Sequence, residues 1–151
     1  MKRMTWLPSR GVCMDINEVL SGIKPYQTLG MRAGIGENGS VCMSIPLSEN
    51  YNDKRTMFAG SIYSAMVLCG WTLAYRTLNV NAKEYDVVIR HSDIDYLRPV
   101  RTDAQAVAIV DGEITVKPNG KISVPVSVDL SDASNMLCAR FKGEYIGFHA
   151  D

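Results

Sequence analysis

Between Arg55 and Arg76 the chain reads Thr56-Met57-Phe58-Ala59-Gly60-Ser61-Ile62-Tyr63-Ser64-Ala65-Met66-Val67-Leu68-Cys69-Gly70-Trp71-Thr72-Leu73-Ala74-Tyr75, twenty residues without a charge. The run predicts a helix from about Thr56 to Leu78, closed by Asn79-Val80-Asn81. Its apolar residues lie on every side rather than along one stripe, so protein must surround it. A membrane span is rejected because Gly60, Ser61, Ser64, Gly70 and Thr72 dilute the apolarity and the flanking stretches read as strands.

Upstream, Ile16, Val19, Leu20 and Ile23 mark an amphipathic helix. Asp15 with Glu18 suits a capping-box start, and Gly22 with Pro25 marks its end. Residues 26–47 alternate loosely around Glu37-Asn38-Gly39, which predicts a hairpin. Residues 48–55 form a polar loop that delivers side chains to the central helix. Downstream strands are expected near residues 85–97, 103–110, 122–130 and 137–148. In the third of these Ile122, Val124, Val126, Val128 and Leu130 share one face, and Pro125 argues for an edge or a bulge.

One buried helix among antiparallel strands is an α+β arrangement: a curved antiparallel sheet wrapped around one long central helix, the hotdog fold, with a short N-terminal amphipathic helix. Residues 1–13 read as a loose arm and 14–151 as a single domain. A single sheet cannot cover every side of the helix, so a homodimer or higher homo-oligomer is expected.

Lys plus Arg and Asp plus Glu balance at 16 each. That charge supplies no general field for nucleic acid or an acidic membrane surface. The four cysteines lack any C-x-x-C pair and have only two histidines to help them, so no metal site is expected. They read as reduced thiols of a cytoplasmic protein, and the N-terminus lacks the apolar run of a secretion signal.

Chemistry is expected where the polar loop meets the helix. Free backbone amides at a helix start suit an oxygen that gains negative charge. Ala59 and Gly60 are small enough for a thioester carbonyl to approach, and Asn52 adds a side-chain donor. The structural alternative is that Asn52 only shapes the turn and Gly60 only permits close packing. Ser64 either touches substrate or bonds back to the carbonyl four residues earlier. Tyr96 and Trp71 read as core or interface aromatics.

The run from Asn52 to Trp71 closely resembles the helix motif of the thioesterase-like hotdog family of the YiiD C-terminal type. Residues 92–100, S-D-I-D-Y-L-R-P-V, resemble its central strand motif, and residues 138–145, C-A-R-F-K-G-E-Y, its final strand. The resemblance spans roughly residues 15–148. It implies a dimer with an acyl-thioester pocket at the subunit interface, taking acyl-coenzyme A or acyl-acyl carrier protein. No separate cofactor is implied, since coenzyme A or phosphopantetheine arrives as part of the substrate.

The wider family places an Asn before the helix and H-G-G at its start, which Asn52 and Phe58-Ala59-Gly60 match. Asn52 and the Ala59 amide are then the expected catalytic pair. Thr56 and Phe58 are expected at the pocket mouth with Gly60, and Ser64, Met66 and Val67 on its wall. Arg98, with Arg101, Lys117, Lys121, Arg140 and Lys142, is expected to meet phosphates or an acidic carrier protein. Hydrolases of that family carry a carboxylate where this chain has Val67, and Asp53 is the one nearby replacement. Its absence favours decarboxylation of a malonyl thioester, an activity reported in the resembling family, over hydrolysis; a non-catalytic thioester-binding module is the further alternative.

Overall fold

The computed structural model describes residues 15–151 and the backbone of Lys2–Arg3. Apart from that dipeptide, the arm expected over residues 1–13 lies outside the described residues, as does Cys13. The elements are β1 (Lys2–Arg3), α1 (Ile16–Ser21), α2 (Lys24–Thr28), β2 (Arg32–Ile35), β3 (Val41–Ile45), α3 (Ala59–Leu78), β4 (Tyr85–Tyr96), β5 (Ala104–Val110), β6 (Thr115–Val116), β7 (Ile122–Asp132) and β8 (Leu137–His149).

The first helix is shorter than its periodicity suggested. Asp15 caps it by accepting the Asn17 amide, and it stops at Ser21. Pro25, read as a stop, instead sits in the first turn of α2. The missing N–H costs nothing there, because first-turn amides have no intrahelical acceptor. The hairpin of β2 and β3 follows, turning through Asn38 and Gly39, both with positive φ.

All strand pairings are antiparallel, and the sheet runs β4-β8-β7-β5-β3-β2, with β6 on the far end of β7 and β1 on β6. Strand β7 is therefore interior, which corrects the edge reading of Pro125. The proline is tolerated because β5 stops opposite Val126 and β6 begins opposite Ser123. Its own carbonyl accepts the Asp111 amide, so the side lacking an N–H faces that gap rather than a ladder.

Helix α3 lies in the curve of this sheet, the hotdog arrangement. Ala65, Met66 and Cys69 pack with Val124, Val126, Val128, Leu130, Phe141 and Tyr145 in one core. The close approach of helix and strand is set at Gly70: a Cβ there would lie 2.5 Å from the Tyr145 hydroxyl and 2.9 Å from its ring. That hydroxyl donates to the Val67 carbonyl at 2.6 Å. Burial is not uniform around the helix. Gly60, Tyr63, Ser64, Val67, Leu68 and Trp71, spaced at three and four residues, remain half-buried. Among the described residues, strand β4 pairs on one side only, with β8.

A polar cluster holds the outer surface near that edge. At a bulge in β4, Arg90 reaches Glu144 at 2.8 Å, and Glu144 also accepts from Lys117 at 3.1 Å and Ser123 at 2.9 Å. Burial pushes the carboxyl up, but the hydrogen bonds from Lys117, Ser123 and Arg90 outweigh it and hold it below its ordinary 4.5. The ionised group therefore stabilises the fold above that value, and the contribution disappears as pH falls through the lower, folded-state value. The Glu144→Gln variant is expected to lose about 1 kcal/mol at neutral pH and nothing further from this site on acidification. Urea titrations of both proteins at neutral and acid pH check this, and equal losses at both would contradict it.

Candidate functional site

The loop before α3 is built by two asparagines. Asn50 is buried, and its side-chain amide donates to the Leu29 carbonyl at 2.9 Å and the Pro46 carbonyl at 2.8 Å. The backbone carbonyl of Asn50 accepts the Phe58 amide at 2.8 Å, which fixes where the helix begins. Asn50→Ala removes the side-chain donor from two half-buried carbonyls and is expected to cost about 2 kcal/mol, read as a lowered melting temperature. A melting curve unchanged from wild type would exclude this pinning role.

Asn52 closes the next turn. Its Oδ1 accepts the Lys54 amide at 2.9 Å and the Thr56 amide at 3.2 Å, while its Nδ2 donates to Thr56 Oγ1 at 3.0 Å. Arg55 sits in the left-handed region at φ 63° within this turn, and its guanidinium lies 4.7 Å from the Tyr51 ring centre. The turn-shaping role is thus real, but it does not exhaust the side chain. Two backbone donors identify Oδ1, and a carboxamide nitrogen has two protons, one of which remains uncommitted.

The central helix starts at Ala59 rather than Thr56, because Thr56 closes the turn with Asn52 and Met57 is held in extended pairing. The Met57 amide donates to the Val100 carbonyl at 2.8 Å, and Tyr51 and Met57 form an isolated bridge. Phe58 caps the helix with extended backbone angles. Its carbonyl takes both the Ser61 and Ile62 amides, at 3.0 and 3.1 Å, which polarises the peptide carrying the Ala59 N–H. Among the described residues no protein acceptor meets the Ala59 or Gly60 amide.

Asn52 and Ala59 line the same open cavity of about 330 Å³, with Met57, Ile62, Tyr96 and Leu97, and with Arg98, Pro99 and Val100 from the turn after β4. Of the residues expected from sequence, Asn52, Ala59 and Arg98 meet there. Thr56 is turned to Asn52, and Phe58, exposed, folds its ring over Gly60, where a Cβ would lie 2.5 Å from it. Ser64 donates back to the Gly60 carbonyl at 2.8 Å. Met66 is fully buried in the core, and Val67 lies on the half-buried helix stripe. Neither lines this cavity: at 1.5 Å per residue, Val67 is about 12 Å along the helix from Ala59.

The other basic side chains do not converge on the cavity. Lys117 is tied to Glu144, Arg140 to Asp129 at 3.5 Å and Lys142 to Asp111 at 3.8 Å. Lys121 and Lys117 instead line a separate groove of about 400 Å³ with Arg90. Asp53, solvent-exposed, pairs with Lys54 at 3.3 Å. Among the described residues no carboxylate or imidazole lines the site cavity, and no cluster of His, Cys, Asp or Glu is placed to hold a metal.

Tyr96 and Asn50 carry more than sequence reasoning assigned them, whereas Trp71 does not. Trp71 packs on Tyr75 and donates to the Val87 carbonyl at 2.8 Å, as a core aromatic does. Tyr96 does not: it is 48% exposed, lines the cavity and donates its hydroxyl to the Ala59 carbonyl at 3.0 Å. Its place at the end of a strand followed by a proline turn was the available signal. Asn50 was missed because nothing in a polar loop marks which asparagine turns inward.

Residues 26–149 match the family described as "Putative thioesterase (yiiD_Cterm)". Among solved structures, the chain is similar to a "putative thioesterase" from Shewanella oneidensis, with 30% identity, a TM-score of 0.75, and 87% of this chain and 93% of that one covered. A thioesterase from Haemophilus influenzae shares the fold at 14% identity, with a TM-score of 0.73 and 96% of each chain covered. A protein of unknown function from Chlorobaculum tepidum does so at 18% identity, TM-score 0.73, covering 89% of this chain and 93% of that one. No curated protein matches the sequence.

Proposed function

Because this chain belongs to the thioesterase hotdog family with the yiiD C-terminal domain, we propose that it acts on a short acyl thioester of coenzyme A or acyl carrier protein, and that the reaction is decarboxylation of a malonyl thioester. What supports this reading is the composition of the cavity: Asn52 and Ala59 both line it, with an uncommitted side-chain proton and an unpaired backbone amide, and among the described residues no carboxylate or imidazole does. The free proton of Asn52 Nδ2 and the Ala59 amide receive the thioester oxygen. As the carboxylate leaves as CO2, its bonding pair forms the C=C bond of an enolate, and the negative charge moves to that oxygen. Met57, Ile62, Leu97 and Val100 provide the apolar wall that favours loss of a charged carboxylate as a neutral gas. Arg98 offers a guanidinium to a phosphate of the carrier.

The half-buried stripe on α3 and the β4 edge that no described strand pairs support assembly as a homodimer that covers both. The three described cysteines are unpaired, in keeping with a reducing cytoplasm. No helix is long and apolar enough to cross a membrane among the described residues.

The names of the family and its relatives favour hydrolysis as the second reading. Incubation with malonyl-coenzyme A and acetyl-coenzyme A, followed by mass analysis, separates the two. The expected products are acetyl-coenzyme A and CO2 from the malonyl substrate, with the acetyl substrate intact. Free thiol and free acid would establish hydrolysis instead, and saturable binding without turnover would reduce the protein to a binding module.

A further inference from the structure

Decarboxylation leaves a carbanion equivalent that must be protonated, and the donors that hold its oxygen cannot supply the proton without losing their function. Among the described residues, three that line the cavity have polar side chains: Asn52, Arg98 and Tyr96. A carboxamide is far too weak an acid, and a guanidinium keeps its proton throughout the working range of proteins. Tyr96 is the phenol among them. Its hydroxyl is fixed 3.0 Å from the Ala59 carbonyl, on the residue whose amide faces the reacting oxygen. The ring is half-exposed, so the phenol exchanges with water.

Resting on the decarboxylation reading, we propose that Tyr96 is the acid that protonates the enolate carbon. The C=C pair of the enolate takes the phenolic proton to make the new C–H bond, and the thioester carbonyl re-forms. The O–H pair stays on Tyr96 as tyrosinate, which recovers a proton from bulk water. The sum is malonyl thioester plus one proton giving acetyl thioester plus CO2. Burial, and then the charge of Tyr63, push the Tyr96 phenol above its ordinary value of 10, which keeps it protonated at neutral pH.

The test is turnover of malonyl-coenzyme A in an equal mixture of H2O and D2O, with the deuterium content of the acetyl product corrected for exchange into unreacted substrate. Tyr96→Phe is expected to lower turnover about 100-fold with little change in KM, and to change the H/D ratio because water becomes the donor. Wild-type protein carrying 3-fluorotyrosine, a more acidic phenol, is expected to shift the ratio as well, with no deletion of the side chain. An unchanged ratio in both proteins, even with a slower rate, would overturn the assignment and leave Tyr96 a merely structural role. Wild-type protein that releases no CO2 would instead defeat the decarboxylation reading itself, and this proposal with it.

Discussion

Replacing Asn52 by aspartate is expected to lower turnover on malonyl-coenzyme A by about 100- to 1,000-fold while leaving the melting temperature close to wild type. The substitution separates the two roles of this residue. Aspartate keeps the oxygen that accepts the Lys54 and Thr56 amides, and Thr56 Oγ1 can rotate to donate to the second oxygen. What it removes is the uncommitted N–H of a side chain that lines the cavity, and it adds a negative charge where the proposed enolate oxygen would gain its own. Asn52→Ala is also expected to abolish activity, but it opens the turn at the same time and so confounds loop and chemistry. Steady-state rates with thermal melts decide the matter: full activity in Asn52→Asp would remove this residue from the reaction.

The second large effect is on the fold. Gly70→Val is expected to destabilise the protein by about 3 kcal/mol, since overpacking of a closed interior costs of that order. Two effects oppose each other at this position. Glycine inside a helix is unfavourable, and valine recovers roughly 0.5 kcal/mol of propensity. Against that, even a Cβ meets the Tyr145 hydroxyl at 2.5 Å, and Tyr145 is fully buried with its hydroxyl committed to Val67. The ring has nowhere to go, so the steric term wins. Denaturant titration reads the change, and a variant as stable as wild type would mean that helix and strand slide apart at little cost.

Both predictions show where a sequence stops being legible. The central helix was readable because twenty uncharged residues in a soluble composition leave few other outcomes. The strand β7 was readable because alternation has a period of two, and burial on one face follows from it. The start of α3 was misplaced by three residues because Met57 gives its amide to Val100, a partner over forty positions away that no local pattern announces. Pro25 was read as a terminator because a proline marks a boundary without stating which side of it is helical.

The site divides along the same line. Asn52 and Ala59 belong to one short segment, so their proximity follows from chain connectivity and the amides of a helix start. Tyr96 and Arg98 reach the cavity only because β4, paired with β8, ends beside that segment. Met66 and Val67 were expected beside them from motif spacing, but a helix advances 1.5 Å per residue and carries them away. Local covalent order thus dictates which loop and helix-start groups share the cavity; sheet curvature and strand register, which rest on many weak contacts between distant residues, dictate which other residues stand around it.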